Sequence, residues 1–265
     1  MTLPSPLCVV QLTDMHLFAD KCCQLLGLPT QESFQTVVRQ VALLQPQPDL
    51  LLLTGDLSQD GKPESYALLQ SMLAPLAIPT YWLPGNHDRV PEMEQVLNSG
   101  LMSARKSFRA DGWHFLLLNS QVTGSVHGHL SAASLEWLDE QLETVGAVPT
   151  LIGLHHPPFV VGSDWLDGST LQNPEALFAV IDRHPQVKLV LFGHIHQDYS
   201  QTRQGVQYLG TPSTCIQFEP GSADFALDEE QPGFRILHLY DDAGWRTTVE
   251  RSSYVPQLDL AATGY

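Results

Sequence analysis

The sequence is short of positive charge. Thirteen Lys and Arg stand against 29 Asp and Glu, a formal net charge of −16. A surface of that sign repels phosphate backbones, which argues against nucleic acid or an anionic membrane as a partner. An anionic ligand would therefore need a local positive centre, such as bound metal. Cysteine is scarce as well: Cys8, Cys22, Cys23 and Cys215 include one adjacent pair and no C-x-x-C. That spacing excludes a disulfide framework and a zinc ribbon, and it suits the reduced thiols of a cytoplasm. No apolar run reaches the ~18–20 residues that span a bilayer. The stretch Met1 to Val10 lacks the basic region and small-residue cleavage site of a secretory signal, so a cytoplasmic location is expected. Repeats and low-complexity tracts are also missing. What remains is 265 residues, 43% of them hydrophobic. Such a chain can bury a large core as one α/β domain over 1–265, with 219–233 read as a surface loop and 251–265 as a C-terminal tail.

Strands alternate with helical segments along the chain. Residues 7–13 read as a strand, and 49–54, with four consecutive leucines, is a short apolar run typical of a strand buried on both sides. Between them, Phe34, Val37, Val38, Val41 and Leu44 mark one face of a helix over 31–45. The pattern continues with a helix at 64–73, strands at 79–83 and 113–118, and a helix from Ser131, its N-cap, to about Val145. A strand at 150–154, a helix opened by Asn173-Pro174 and a buried strand at 187–192 follow. The last third reads as strands within 205–218 and 234–250, with a turn at Asp241-Asp242-Ala243-Gly244. The early βαβ rhythm predicts an α/β architecture with a largely parallel sheet and covering helices, and with the later strands a compact sandwich of two sheets fits better than a single open sheet.

Five short motifs sit just after predicted strands: Asp14-Met15-His16, Gly55-Asp56, Gly85-Asn86-His87-Asp88, His155-His156 and Gly193-His194-Ile195-His196. In an α/β sheet the carboxyl ends of strands converge on one edge, where ligands bind. Each motif alone has an ordinary reading, since Gly-Asp and Asn-His-Asp are common in turns. Together they supply what displacement at phosphorus asks for. Two divalent ions ~3.5–4 Å apart clamp the attacking and leaving oxygens, with a bridging carboxylate and further N and O ligands. In Asp-x-His and His-x-His the two side chains leave the same face of extended backbone. A donor set without thiolate suits Mn, Fe or Zn.

In their order and spacing, these blocks resemble the calcineurin-like metallophosphoesterases over nearly the whole chain, and the resemblance implies that family's α/β fold, two mixed β-sheets packed as a sandwich flanked by helices. The resemblance implies that Asp14, His16, Asp56 and His196 hold one metal. It assigns Asp56, Asn86, His155 and His194 to the other, with Asp56 bridging. It also makes His87 the candidate general acid, and Asn86 with His87 the substrate-binding pair. Asp60 and Asp88 are candidate partners for His87, against an ordinary turn or capping role. His156 is a candidate for substrate contact. His127-Gly128-His129 falls outside the ligand blocks, and His114, His184 and His238 read as packing or surface residues.

A narrower resemblance is to bacterial class III 3′,5′-cyclic AMP phosphodiesterases. It rests on residues 11–18, 55–61 and 154–158, and on Gly210-Thr211-Pro212-Ser213-Thr214-Cys215-Ile216-Gln217-Phe218, a block without metal ligands. It implies a small cyclic-nucleotide or phosphodiester substrate and a pair of Fe and/or Mn ions, with Zn as the alternative. On this reading a metal-bound hydroxide attacks the cyclic phosphate and His87 protonates the leaving 3′-oxygen. Two other readings use the same residues: a phosphodiesterase for glycerophosphodiesters or another small phosphodiester, and a non-enzymatic metal-binding scaffold.

Overall fold

Apolar runs become strands wherever both faces are covered. The computed structural model describes residues 5–264. In chain order its first half contains β1 (Leu7–Leu12), α1 (Thr30–Ala42), β2 (Leu50–Thr54), α2 (Pro63–Leu73), β3 (Thr80–Leu83), α3 (Val90–Val96), β4 (Met102–Ser103), β5 (Ser107–Ala110) and β6 (Trp113–Leu117). Next come α4 (Ala132–Val145), β7 (Thr150–Gly153), α5 (Asp164–Asp167), α6 (Pro174–Ile181) and β8 (Val187–Phe192). The final elements are β9 (Tyr199–Arg203), β10 (Val206–Gly210), β11 (Gln217–Phe218), β12 (Leu227–Asp228), β13 (Gly233–Leu239) and β14 (Trp245–Arg251).

One sheet runs β14-β13-β1-β2-β3-β4 and the other β5-β6-β7-β8-β10-β9. Both are mixed: β1, β2, β3 and β4 are parallel in the first, while β13 pairs antiparallel with β1 and β14. In the second, β6, β7, β8 and β10 are parallel, with β5 and β9 antiparallel at the edges. Successive side chains on a strand point to opposite faces, and the two central strands use both. Val9, Leu50 and Leu52 meet Phe115, Leu151 and Leu189 in the layer between the sheets. Their neighbours Val10, Leu12, Leu51 and Leu53 pack against Phe34 and Val37 of α1 and Leu69 of α2. On the far side Leu138 and Leu142 of α4 and Leu177 of α6 cover the second sheet.

The expected elements stand within a few residues of their predicted bounds. Ser131 caps α4 by accepting the Ser134 N–H, and the turn at 241–244 closes through Tyr240 N–H to Gly244 O at 2.9 Å. The segment 205–218 is strand only at its ends; 211–216 is irregular and buried. Residues 219–233 carry β12, which pairs with β11. Phe225 in that segment packs edge-on against Trp165. The parallel strands β1, β2, β3, β7 and β8 all deliver their carboxyl ends to one edge of the sandwich.

Candidate functional site

The five motifs meet at that edge because their backbones cross closely. Asp14 N–H donates to Gly55 O at 3.0 Å, His16 N–H to Asp56 O at 3.0 Å, and Gly193 N–H to His155 O at 3.1 Å. Asp14, His16, Asp56, His194 and His196 all take left-handed backbone, with φ of 55°, 48°, 51°, 70° and 52°. Outside glycine that conformation is uncommon and concentrates where surrounding structure enforces it. The glycines make the crossings fit. A Cβ on Gly85 would lie 2.2 Å from Asp56 Oδ1, and one on Gly193 would lie 2.1 Å from Thr13 Oγ1.

All eight singled-out side chains come together. His155 Nε2 lies 3.3 Å from Asp56 Oδ2 and 3.2 Å from Asn86 Oδ1. His196 Nε2 is 3.4 Å from Asp14 Oδ1 and 3.3 Å from His16 Nε2. The His87 ring stands edge-on to His16 at 5.0 Å, half-buried at the mouth. Asp56 is shared: His16 and His87 surround it on one side, Asp14 and His155 on the other. His156 Nε2 and His194 Nδ1 are buried with no hydrogen-bond partner. A buried polar atom left without a partner is costly. Carboxylates, imidazoles and an amide converging with such atoms fit a pair of divalent cations.

The electrostatics agree. Burial would raise the Asp56 carboxyl, but His155 and then His87 hold it well below the usual range. Burial likewise opposes ionisation of Asp14, and His196 and His155 overcome it to lower its pKa. His155 is disfavoured by burial yet pushed up to about 9 by Asp56 and Asp14. Burial drives His16 down to about 3, and burial with His155 nearby drives His194 far below the ordinary histidine value. His155 is thus the imidazole whose charged form the two carboxylates favour, and a cation bound there would compete with a proton for the same nitrogen.

Each inward imidazole is aimed by an outer contact. His16 Nδ1 meets Gln59 Oε1 at 2.6 Å, and His155 Nδ1 meets Thr54 O at 2.8 Å. His196 Nδ1 meets Ile216 O at 2.8 Å, and His194 Nε2 meets Ser169 Oγ at 2.9 Å. Such partners fix ring orientation and ligand basicity. The sequence carries no signal for Ser169 or for the two carbonyls. The 210–218 block lies behind the site: Ser213 Oγ donates to Asp14 O at 2.7 Å, and Phe218 stacks on His196 at 4.2 Å. Its conformation serves the metal-side turns and forms no exposed wall.

Asp88 and Asp60 hold turns. Asp88 accepts the N–H groups of Gly85, Leu57 and Ser58. Asp60 accepts the Ala19 N–H and pairs with Lys62. His156 is buried, 2.8 Å from Ser120 Oγ and with its ring 4.9 Å from that of His194. Gly128 packs on His156, where a Cβ would lie 2.5 Å from Cγ, while His129 is exposed. His114 and His184 sit at the opposite end of the strands with Ser107 and Asp139.

Residues 8–198 match the model of the Calcineurin-like phosphoesterase family, and the chain belongs to that family. Among named relatives, the 3′,5′-cyclic-nucleotide phosphodiesterase of Nostoc sp. is 55% identical, over 97% of each chain. The 3′,5′-cyclic adenosine monophosphate phosphodiesterase CpdA of Pseudomonas aeruginosa is 41% identical over 97% of this chain and 94% of its own. Its Escherichia coli K12 namesake is 42% identical with the same coverage. A dimetal phosphatase from Danio rerio shares the fold at TM-score 0.70 and 16% identity, covering 98% of this chain and 100% of that one.

Proposed function

We propose that the chain is a dinuclear-metal phosphodiesterase that hydrolyses 3′,5′-cyclic AMP to 5′-AMP. The observation that carries the reaction class is the convergence of carboxylates, imidazoles and the Asn86 amide around Asp56, with His156 Nε2 and His194 Nδ1 buried without a hydrogen-bond partner. The substrate reading is supported by the names of relatives 41% and 55% identical over nearly their full lengths. Asp14, His16, Asp56 and His196 form one ligand set; Asp56, Asn86, His155 and His194 form the other. Fe and/or Mn suit these nitrogens and oxygens, with Zn the alternative. When bound, the ions supply Lewis acidity and an activated water near neutral pH.

The chain's own groups do the rest. Asn86 offers an amide donor to a phosphoryl oxygen. The His87 ring stands edge-on to that of His16 at 5.0 Å, and its backbone N–H donates to Asp56 Oδ1 at 2.9 Å. From there its imidazole gives a proton to the leaving 3′-oxygen. A cytoplasmic location belongs to this reading, supported by four cysteines that are all free. No helix among the described residues is long and apolar enough to cross a membrane.

The test is hydrolysis by Mn-loaded protein of cyclic AMP, cyclic GMP, a 2′,3′-cyclic nucleotide, glycerophosphodiesters and a phosphomonoester. Asp56→Ala and EDTA controls run beside wild type. Metal-dependent preference for cyclic AMP with 5′-AMP as product is expected. Activity confined to glycerophosphodiesters would overturn the substrate while leaving the class, and no activity on any of them would leave a binding scaffold.

A further inference from the structure

Tyr66 lies on α2, outside every motif, and it is fully buried. Its hydroxyl donates to Asp88 Oδ1 at 3.1 Å and accepts the Arg89 N–H at 2.8 Å. Both partners follow His87 directly in the chain. The Asp88 carboxylate also takes the N–H of Gly85 at 2.9 Å, and those of Leu57 and Ser58 at 3.1 Å each. It therefore joins the turn bearing Asp56 to the turn bearing His87. From the other side Gln121 Nε2 donates to Gly85 O at 2.7 Å and to Asp88 O at 2.6 Å. The backbone on both sides of His87 is thus held at four atoms: Gly85 N and O, Asp88 O and Arg89 N.

A buried tyrosine needs one partner for its hydroxyl. Tyr66 has two, both on one short turn. The His87 ring is half-buried and stands edge-on to His16 at 5.0 Å, and the turn that carries its backbone sets the point from which that ring reaches. We propose that Tyr66, with Gln121 as its counterpart across the turn, is a positioning residue that aims His87 at the leaving oxygen. The inference rests on the reading of His87 as general acid. It assigns function to one oxygen atom, because Tyr66→Phe keeps the buried ring and removes only the two hydrogen bonds.

A leaving group that needs no proton separates positioning from general damage. Wild type, His87→Ala, Tyr66→Phe and Gln121→Leu are assayed on cyclic AMP and on bis(p-nitrophenyl) phosphate, whose nitrophenolate departs unprotonated. Bound metal is measured on each protein by inductively coupled plasma mass spectrometry. His87→Ala is expected to lose about 100-fold in kcat on cyclic AMP, the scale of a general acid, and far less on the nitrophenyl diester. Tyr66→Phe and Gln121→Leu should each lose roughly ten-fold in kcat on cyclic AMP, with KM, metal content and nitrophenyl activity kept within about two-fold. Equal losses on both substrates in His87→Ala would overturn the acid role itself. With His87→Ala behaving as expected, variants at Tyr66 and Gln121 that lose both activities equally, lose metal or lose nothing would overturn the positioning role.

Discussion

Both ends of the parallel strands carry histidine, and they use it in different ways. At the amino ends, His114 Nε2 meets Ser107 Oγ at 2.8 Å and His184 Nε2 meets Asp139 Oδ1 at 2.6 Å, each in a contact of its own. At the carboxyl ends, His16, His87, His155, His156, His194 and His196 face one another and the carboxylates of Asp14 and Asp56. Residue type does not separate the two ends. Backbone crowding does. A Cβ on Gly146, in the turn before β7, would meet nothing within 4 Å, whereas one on Gly55 would lie 2.4 Å from His155 Nδ1. A site forms where positive-φ residues coincide with close backbone crossings; the amino end has positive-φ residues too, such as Ala77 at 54° and Gly146 at 67°, but at Gly146 no crossing accompanies it.

Single added atoms should break this contrast most sharply. Gly85→Ala drives its Cβ into Asp56 Oδ1 and N, at 2.2 and 2.4 Å. Turnover should fall ~100-fold or more, the scale of an ångström-sized misplacement, with bound metal lost in parallel by mass spectrometry. Next come the outer contacts. Ser169→Ala and Gln59→Ala should weaken metal affinity by ~10–100-fold in chelator competition. Ser107→Ala removes the same kind of contact from His114, and it should leave that affinity unchanged.

The amino end should respond only in stability. At Gly146 φ is +67° with open space around it, so Gly146→Ala should cost about 1–2 kcal/mol in urea unfolding without touching turnover. Loss of activity there would break the comparison. The smallest effect is chemical. Cys8, at the start of β1, is pushed up to about 11 by burial and then by Asp49, whereas Cys22, in the loop after His16, is exposed. The reactive thiolate of Cys8 grows only as pH climbs toward that value, so iodoacetamide at about pH 8.5 should label Cys22 and spare Cys8 in a peptide-mass experiment.

Most of the frame was legible because apolar runs and Gly or Pro punctuation mark its ends. The strand at 187–192 was read with its observed bounds, and Ser131 caps its helix as expected. The missed elements are short or polar, and a proline alone does not announce one without an apolar stripe behind it. β9 is polar and half-exposed at the sheet edge, β4 has two residues, and α3 opens as Val90-Pro91 with acidic residues at 92 and 94. Asn173 stands at the N-cap position before Pro174, as expected, but its side chain makes no cap bond: its amide bridges Leu130 N–H and Leu130 O. At the site, the motif residues announce themselves by type and order. Ser169, Gln59, Gln121 and Tyr66 are ordinary residues placed by distant pairings. The carbonyls of Thr54 and Ile216 could not announce themselves at all, since any residue supplies one.

β1 gains its second neighbour only late in the chain. β1 lies between β2 and β13, so Leu7 to Leu12 cannot complete its ladder until Gly233–Leu239 has been synthesised. Asp14 takes the His194 N–H at 3.1 Å across 180 residues. Loops of that length must close before such contacts reward them, which slows folding. On the ribosome β1 therefore waits, with the N–H and C=O groups of one edge unpaired, until β13 has emerged, and no nascent fragment ending before Ile216 has the full set of supports around its histidines.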